Sequence, residues 1–162
     1  MTAKEYLQQV QMLDNLIECQ LEELESLKQM LTRVSPVLDR EGGTGGGYND
    51  KIASGVAKIV DMQEAINRNV DAYAERKAEA MRLLQKMHHP EYVKVLHKRY
   101  FLRKTWEEIA AEMQYSYRGV CYVHGRALQE FEGVMKTEEI TDANEQVRTL
   151  SAHEMPVPSD HA

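Results

Sequence analysis

Apolar residues recur every seven positions along the first 34 residues of the chain. Two such tracks, three to four residues apart, fall on one face of a helix, and four consecutive heptads predict coiled-coil packing. Gln20 alone interrupts them, and Thr2 with Glu5 forms a capping box at the helix start. The tracks comprise Tyr6, Leu13, Gln20, Leu27 and Val34, and Val10, Ile17, Leu24 and Leu31.

A second helix is predicted from about Asn49 to His88 by the same heptad pattern. Ser35-Pro36 should end or bend the first helix, and the glycine-rich residues 41–47 should form a flexible turn. We therefore expect residues 1–89 to form a long antiparallel two-helix coiled-coil hairpin. Its core would be thin, so we expect the hairpin to form a homodimer or higher oligomer, or else to dock on the C-terminal module or on a partner. The second helix should bury Ile52, Ile59, Ile66, Tyr73, Ala80 and Met87, with Val56, Gln63, Val70, Lys77 and Leu84.

Residues 90–136 read as three more helices. Pro90 suits a first helical position, and the first of the three should reach about Phe101. Thr105 and Glu108 form a second capping box, which begins a short helix. Ser116 is an N-cap for the last helix. The buried positions are expected to be Val93, Leu96 and Tyr100, then Ile109, Ala110 and Met113, then Val120, Val123, Ala127 and Leu128.

Two short helices, a tight turn and a capped second helix are the plan of the helix-turn-helix. That motif lays its second helix in the DNA major groove, with residues near the N-terminus of this helix facing the bases. The chain as a whole is therefore predicted to be all-α, a coiled-coil hairpin followed by a helix-turn-helix module.

The same stretch resembles the fourth region of bacterial sigma factors. The resemblance is carried by Val95-Leu96, Arg99-Tyr100, Thr105–Ala110, Ser116, Val120, Val123 and Arg126–Leu128. The whole layout, which begins Thr-Ala-Lys-Glu-Tyr-Leu at Thr2–Leu7, is similar to short phage and prophage proteins of Gram-positive bacteria and to the ArpU and RinA types of phage late-gene regulator. One departure is Gln114, which stands in the turn where sigma factors usually have glycine.

The resemblance implies a sequence-specific transcription regulator, a phage late-gene activator at promoters. Its expected partners are double-stranded DNA and RNA polymerase, and its location is the cytoplasm of the bacterial host. Bases would be read by Tyr117, Arg118, Gly119 and Tyr122. Phosphates would be held by Lys98, Arg99, Arg103, Lys104 and Arg126, with Thr105 at the start of the first helix of the motif.

The charge distribution is compatible with this expectation although the net charge is −6. Residues 90–136 contain eight Lys and Arg against six Asp and Glu, whereas residues 137–162 contain one Arg against six acids. A mildly basic module predicts modest affinity, because phosphate contacts supply most non-specific binding. The acidic residues 137–162 contain few apolar side chains and two prolines, so we expect a disordered tail there.

Other chemistry finds little support in the sequence. Cys19 and Cys121 lie far apart, and the spacing of the histidines, among them His124, fits no usual metal site. The glycine run lacks the Lys-Ser or Lys-Thr of a phosphate-binding loop. We therefore expect neither an enzyme nor a cofactor, and no run is apolar enough to predict a signal peptide or a membrane span.

Two alternatives stay open at this stage. A DNA-packaging adaptor that resembles a small terminase subunit would also join a helix-turn-helix to oligomerising helices, although in that class the DNA module usually comes first. A protein-binding adaptor of RNA polymerase or a host sigma factor would have no DNA affinity even at low salt.

Overall fold

The computed structural model describes residues 1–38 and 46–153, and within these ranges it contains helices and no strand. This confirms the predicted all-α class. The helices are α1 (Ala3–Leu38), α2 (Gly46–Gln85), α3 (Pro90–Leu96, followed by the π-helical turn His97–Phe101), α4 (Trp106–Met113) and α5 (Tyr117–His153). No helix of the described ranges is both long and apolar enough to cross a membrane.

The chain divides into two compact units. The helix-pair unit is Leu7–Ala80, and the C-terminal unit combines Met1–Tyr6 with the chain from Met81 onward. The predicted boundary at residue 89 therefore falls inside the C-terminal unit, and so does the first turn of α1.

Inside the helix-pair unit, α1 and α2 run antiparallel. The Asn69 amide donates a hydrogen bond to Gln20 at 2.8 Å, and Leu31 lies against Gly55, where an added Cβ would come within 2.4 Å of the Leu31 side chain. Residues later in α1 thus contact residues earlier in α2, as expected of an antiparallel pair. Gln20, the one interruption of the α1 heptads, is the residue that pairs with Asn69. A polar pair at such a position fixes the register of two helices.

The two predicted tracks of α1 lose solvent exposure, and so does Leu7, which lies outside both of them. Val10, Ile17 and Leu24 are buried, and Leu13, Gln20, Leu27 and Leu31 are half-buried. The side chain of Val34 lies outside the described residues. The heptad prediction for α1 is confirmed at the described positions.

One predicted track of α2 is wrong by one residue. Ile52, Ile59, Ile66, Tyr73 and Ala80 are buried or half-buried as expected, but the intervening positions Val56, Gln63, Val70 and Lys77 are exposed. Gly55, Met62 and Asn69 take their place. Hydropathy favoured the valines, but Gly55 allows Leu31 to approach closely and Asn69 satisfies the Gln20 amide. Leu84 and Met87 are buried as predicted.

Two helix ends differ from the expected ones. α1 continues through Ser35-Pro36 to Leu38, so the helix does not end there. A proline in the last turn removes only one backbone hydrogen bond, which the preceding helix can offset. α2 ends at Gln85 rather than His88, because Pro90 holds the preceding His89 extended, at φ −101° and ψ 110°. The glycines between residues 41 and 45 lie outside the described residues.

The entry to α3 is held by a carboxylate on α5. Glu130 accepts a hydrogen bond from the His88 backbone N–H at 2.5 Å and pairs with His89 Nδ1 at 2.7 Å. Burial raises the pKa of Glu130, but these hydrogen bonds outweigh it, and the net pKa is lowered. The helix reaches Phe101 as predicted, and its last turn is π-helical, with Leu102 N–H bonded to His97 O at 3.1 Å.

The capping box predicted at α4 is confirmed, since the Thr105 hydroxyl accepts the Glu108 N–H and Glu108 accepts the Thr105 N–H at 2.7 Å. The helix ends at Gln114, which is left-handed at φ 59°. The N–H of Tyr115 bonds to Ala110 O at 3.0 Å and that of Gln114 to Ala111 O at 3.4 Å. These two bonds are the Schellman arrangement, which normally carries glycine at the left-handed position.

α5 begins at its predicted N-cap, because the Ser116 hydroxyl accepts the Gly119 N–H at 3.0 Å. α3, α4 and α5 then meet in one apolar cluster, against which Tyr92, Trp106, Met113 and Tyr115 pack. The cluster comprises Val95, Ile109, Ala110, Val120 and Val123.

The disordered tail predicted from Thr137 is wrong as far as residue 153, because α5 continues to His153. The segment has few apolar residues, and every side chain from Glu139 to Thr149 is exposed. It extends a helix whose earlier turns are buried, so the cost of nucleation has already been met. An ion pair between Lys86 and Glu138 at 2.5 Å also holds its first turn. Residues 154–162 lie outside the described residues.

We expect Gln114→Gly to stabilise the C-terminal unit by about 0.5–1 kcal/mol, because glycine has no penalty in the left-handed conformation that costs other residues about 1–2 kcal/mol. Urea unfolding followed by circular dichroism measures this. Gln114→Ala is the matched control, and it should not stabilise the protein because alanine keeps the penalty. Equal effects of the two substitutions would contradict the proposed origin of the gain.

Candidate nucleic-acid interface

The first turns of α5 present one exposed polar and aromatic face. Burial of Val120, Val123 and Ala127 turns the opposite face inward, which leaves positions 118, 122 and 126 together on the outside. Tyr117 and Tyr122 are 51% and 69% exposed, a large value for tyrosine in a folded unit. Tyr117 is exposed one residue before Arg118, and we name the set of Tyr117, Arg118, Tyr122 and Arg126 the α5 face.

Gly119, which was also predicted to read bases, lies differently. It is half-buried, and an added Cβ would come within 3.2 Å of Ser116 Oγ and 3.6 Å of the Tyr115 side chain. Because Gly119 has no side chain, Ser116 and Tyr115 of the N-cap turn can lie close to its backbone. The structure supplies this reason for a glycine in a helix, a position that costs about 1 kcal/mol relative to alanine.

Arg99 is held inside the unit. Its guanidinium lies over the Trp106 ring at 4.6 Å and donates a hydrogen bond to the Lys104 carbonyl at 2.9 Å. A stacked, hydrogen-bonded arginine fixes the loop between α3 and α4. The role this geometry shows for Arg99 is therefore to join α3 to α4.

Lys98 and Lys104 also have an internal partner. Each ammonium group donates to one oxygen of the Glu112 carboxylate. The hydrogen bond from Lys104, followed by that from Lys98, lowers the pKa of Glu112. The three side chains are all partly exposed and together carry one net positive charge, so their attraction for phosphate is smaller than two free lysines would provide.

The two remaining predicted residues lie in the loop before α4. The Thr105 hydroxyl is used as the N-cap, as described above, and holds the first turn of α4. Arg103 is exposed and left-handed at φ 54°. Of the ten predicted residues, four form the exposed α5 face and Arg103 is exposed in the loop before α4. The contacts described above engage the other five within the unit, namely Lys98, Arg99, Lys104, Thr105 and Gly119.

Sequence reasoning missed a ring cluster beside the α5 face. His124 Nε2 lies 3.1 Å from the Tyr100 hydroxyl, and its ring meets Trp106 edge-on with 4.7 Å between the centroids. Burial, followed by the charges of Arg99 and Lys4, lowers the pKa of His124 to about 4. From the sequence, His124 is a candidate only for a metal site, which the spacing of the histidines does not favour. Among the described residues, no group of three His, Cys, Asp or Glu is placed to hold a metal.

The N-terminal segment Met1–Tyr6 was also missed, since the heptad pattern assigned it to the hairpin. Ala3 and Tyr6 are buried, and the Tyr6 ring lies 6.0 Å from that of Phe131 on α5. The capping box predicted at Thr2 and Glu5 is confirmed, with hydrogen bonds of 2.8 and 3.3 Å. No sequence signal distinguishes this segment from the rest of α1, because Tyr6 lies on one heptad track and Ala3, seven residues before Val10, lies on the other.

Comparison of the chain with protein-family models, with curated proteins and with solved structures finds no match.

We expect the unfolding free energy to decrease as the pH falls from 7 to 5, partly because of His124. Its pKa is about 4 in the folded protein and near 6.5 when unfolded, so only the unfolded chain takes up the proton in this window. A pKa difference of this size lowers the unfolding free energy by about 2 kcal/mol between pH 6.5 and 5. We expect a decrease of about 1 kcal/mol, because His124 is partly exposed and solvent screens its interactions.

Urea unfolding of the wild type and of His124→Gln at both pH values measures this contribution. The variant should lose less stability than the wild type between pH 7 and 5. An identical loss in the two proteins would show that His124 is not kept neutral by its surroundings.

Proposed function

We propose that α4, the turn at Gln114 and α5 form a helix-turn-helix that binds double-stranded DNA, and that the protein is a sequence-specific transcription regulator. The observation that carries the proposal is the α5 face. Its four side chains are exposed on the first turns of a helix whose other side is buried and whose start is fixed by a cap. Side chains at these positions are the ones that a recognition helix presents to the major groove.

Within this face, Arg118 has the chemistry for reading a base directly. A guanidinium can donate two hydrogen bonds to O6 and N7 of guanine. Tyr117 and Tyr122 offer hydroxyl groups to phosphate or base edges and apolar ring surface to thymine methyl groups. Arg126, two turns further along α5, suits a phosphate contact.

The internal pairing of Lys98, Arg99 and Lys104 supports a modest affinity for a single copy. Phosphate contacts supply most non-specific binding, and these three cations are shared with Glu112, Trp106 and the backbone. Two copies on adjacent half-sites would compensate. We propose the antiparallel helix pair, as a coiled-coil hairpin, for this oligomerising role, and the exposed apolar residues Val56, Val60 and Val70 support it.

The likeness to sigma factor region four and to phage late-gene regulators supports the narrower proposal. In it the protein activates phage or prophage late promoters in the cytoplasm of a bacterial host, with RNA polymerase as a protein partner.

A protein-binding adaptor is the second candidate, and the C-terminal part of α5 favours it. Residues 139–149 are exposed throughout, and Ile140 and Val147 are 63% and 62% exposed at seven-residue spacing. Two exposed apolar side chains on one side of a helix suit contact with a partner protein. This candidate predicts no DNA binding even at low salt.

We expect Arg118→Ala to weaken binding to the specific site by about 1–3 kcal/mol while changing non-specific binding little, because it removes a base contact. Fluorescence anisotropy with labelled DNA from the locus that encodes the protein measures both. Arg76→Ala is the control, since Arg76 pairs with Glu79 in the helix-pair unit. Specific binding that survives unchanged in Arg118→Ala would refute the assignment of α5 as the recognition helix.

We expect Glu112→Gln to strengthen non-specific DNA binding several-fold and to steepen its salt dependence, because Lys98 and Lys104 lose their shared carboxylate. The same anisotropy assay at several salt concentrations measures the slope. Glu107→Gln is the matched control, since it removes one negative charge from an exposed position of the same helix. If the two variants gain equally, the effect is one of net charge and Lys98 and Lys104 do not face the DNA.

A further inference from the structure

Lys4 belongs to the C-terminal unit, although it lies at the other end of the sequence. Its neighbours Ala3 and Tyr6 are buried, and the capping box of Thr2 and Glu5 fixes the first turn of α1. Lys4 itself is exposed on that turn. The segment is therefore anchored, and it presents the lysine outward.

The anchoring places the first turn of α1 against α5 at Phe131, five residues after Arg126 of the α5 face. Tyr6 lies against Phe131, and His124 precedes Phe131 by seven residues, which is about two turns or 10 Å along the same side of the helix. The positive charges of Arg99 and Lys4 both lower the pKa of His124, which agrees with a position of Lys4 on the His124 side of the contact at Phe131. His124 in turn touches Trp106, the first residue of α4.

Lys4 differs in its surroundings from four of the five other lysines of the unit, the exception being the exposed Lys94. Lys86, Lys98, Lys104 and Lys136 each pair with a glutamate. Among the described residues, the structure records no carboxylate that forms an ion pair with Lys4. The charge of an exposed ammonium without such a partner is not offset by a neighbouring carboxylate, so it attracts a phosphate more strongly.

We propose that Lys4 is a DNA-phosphate contact, so that the first turn of α1 forms one rim of the interface beside the α5 face. This inference rests on the proposed function and deepens it. The N-terminal turn would thus bind DNA together with a motif that begins about a hundred residues later in the chain.

The test is a DNA titration of the full chain at several salt concentrations, with Lys4→Ala, Lys4→Arg and Lys86→Ala. We expect Lys4→Ala to weaken specific and non-specific binding by the same several-fold factor and to reduce the salt slope by about 0.9, which is the value of one phosphate contact. Lys4→Arg should restore both. Lys86→Ala should leave the slope unchanged, because Lys86 pairs with Glu138.

A urea unfolding curve for Lys4→Ala that matches the wild type separates loss of a contact from loss of the fold. If the wild type binds DNA and Arg118→Ala weakens it, an unchanged slope in Lys4→Ala overturns the Lys4 contact and leaves the proposed function standing. If the wild type does not bind DNA even at low salt, the proposed function and the Lys4 contact are both overturned.

Discussion

The two short helices of the C-terminal unit depend on an apolar cluster that they share with α5. α3 has seven residues and α4 has eight, lengths at which an isolated helix is not stable in water. Val95 on α3, Ile109 on α4 and Val120 on α5 are each fully buried in this cluster. Packing therefore holds both short helices in place, and it fixes which side of α5 remains exposed.

The cluster also has to offset backbone strain. Arg103 and Gln114 are the two described residues other than glycine with a left-handed backbone, and they stand in the two turns that precede α4 and α5. Each conformation costs about 1–2 kcal/mol. The strain is tolerated because the turns direct Ile109 and Val120 into the same core, and the same turns set the angle at which the α5 face is presented.

Some cations of the unit make contacts within it, and others are exposed on its surface. Arg99 joins α3 to α4 through Trp106, and Glu112 holds Lys98 beside Lys104. Arg118 and Arg126 remain exposed on α5, with Lys4 near their flank by our proposal. Such a division suits a module that docks through a few contacts and obtains further affinity from a second copy or a protein partner.

The sequence alone determined the features that depend on near neighbours. Both capping boxes, the Ser116 cap, Pro90 at a helix start and the heptads of α1 follow from residues a few positions apart, and the structure has them where the motifs predict. Tertiary packing decided the rest. Gly55 and Asn69 replaced the expected valines on α2 because Leu31 and Gln20 of α1 required them. Glu112 pairs with Lys98 and Lys104, which the local sequence predicted as phosphate contacts. The helix α5 continues past Thr137 because its earlier turns are packed. Lys4 joined the C-terminal unit through Tyr6 and Phe131, a contact between residues 125 positions apart that no local pattern can show.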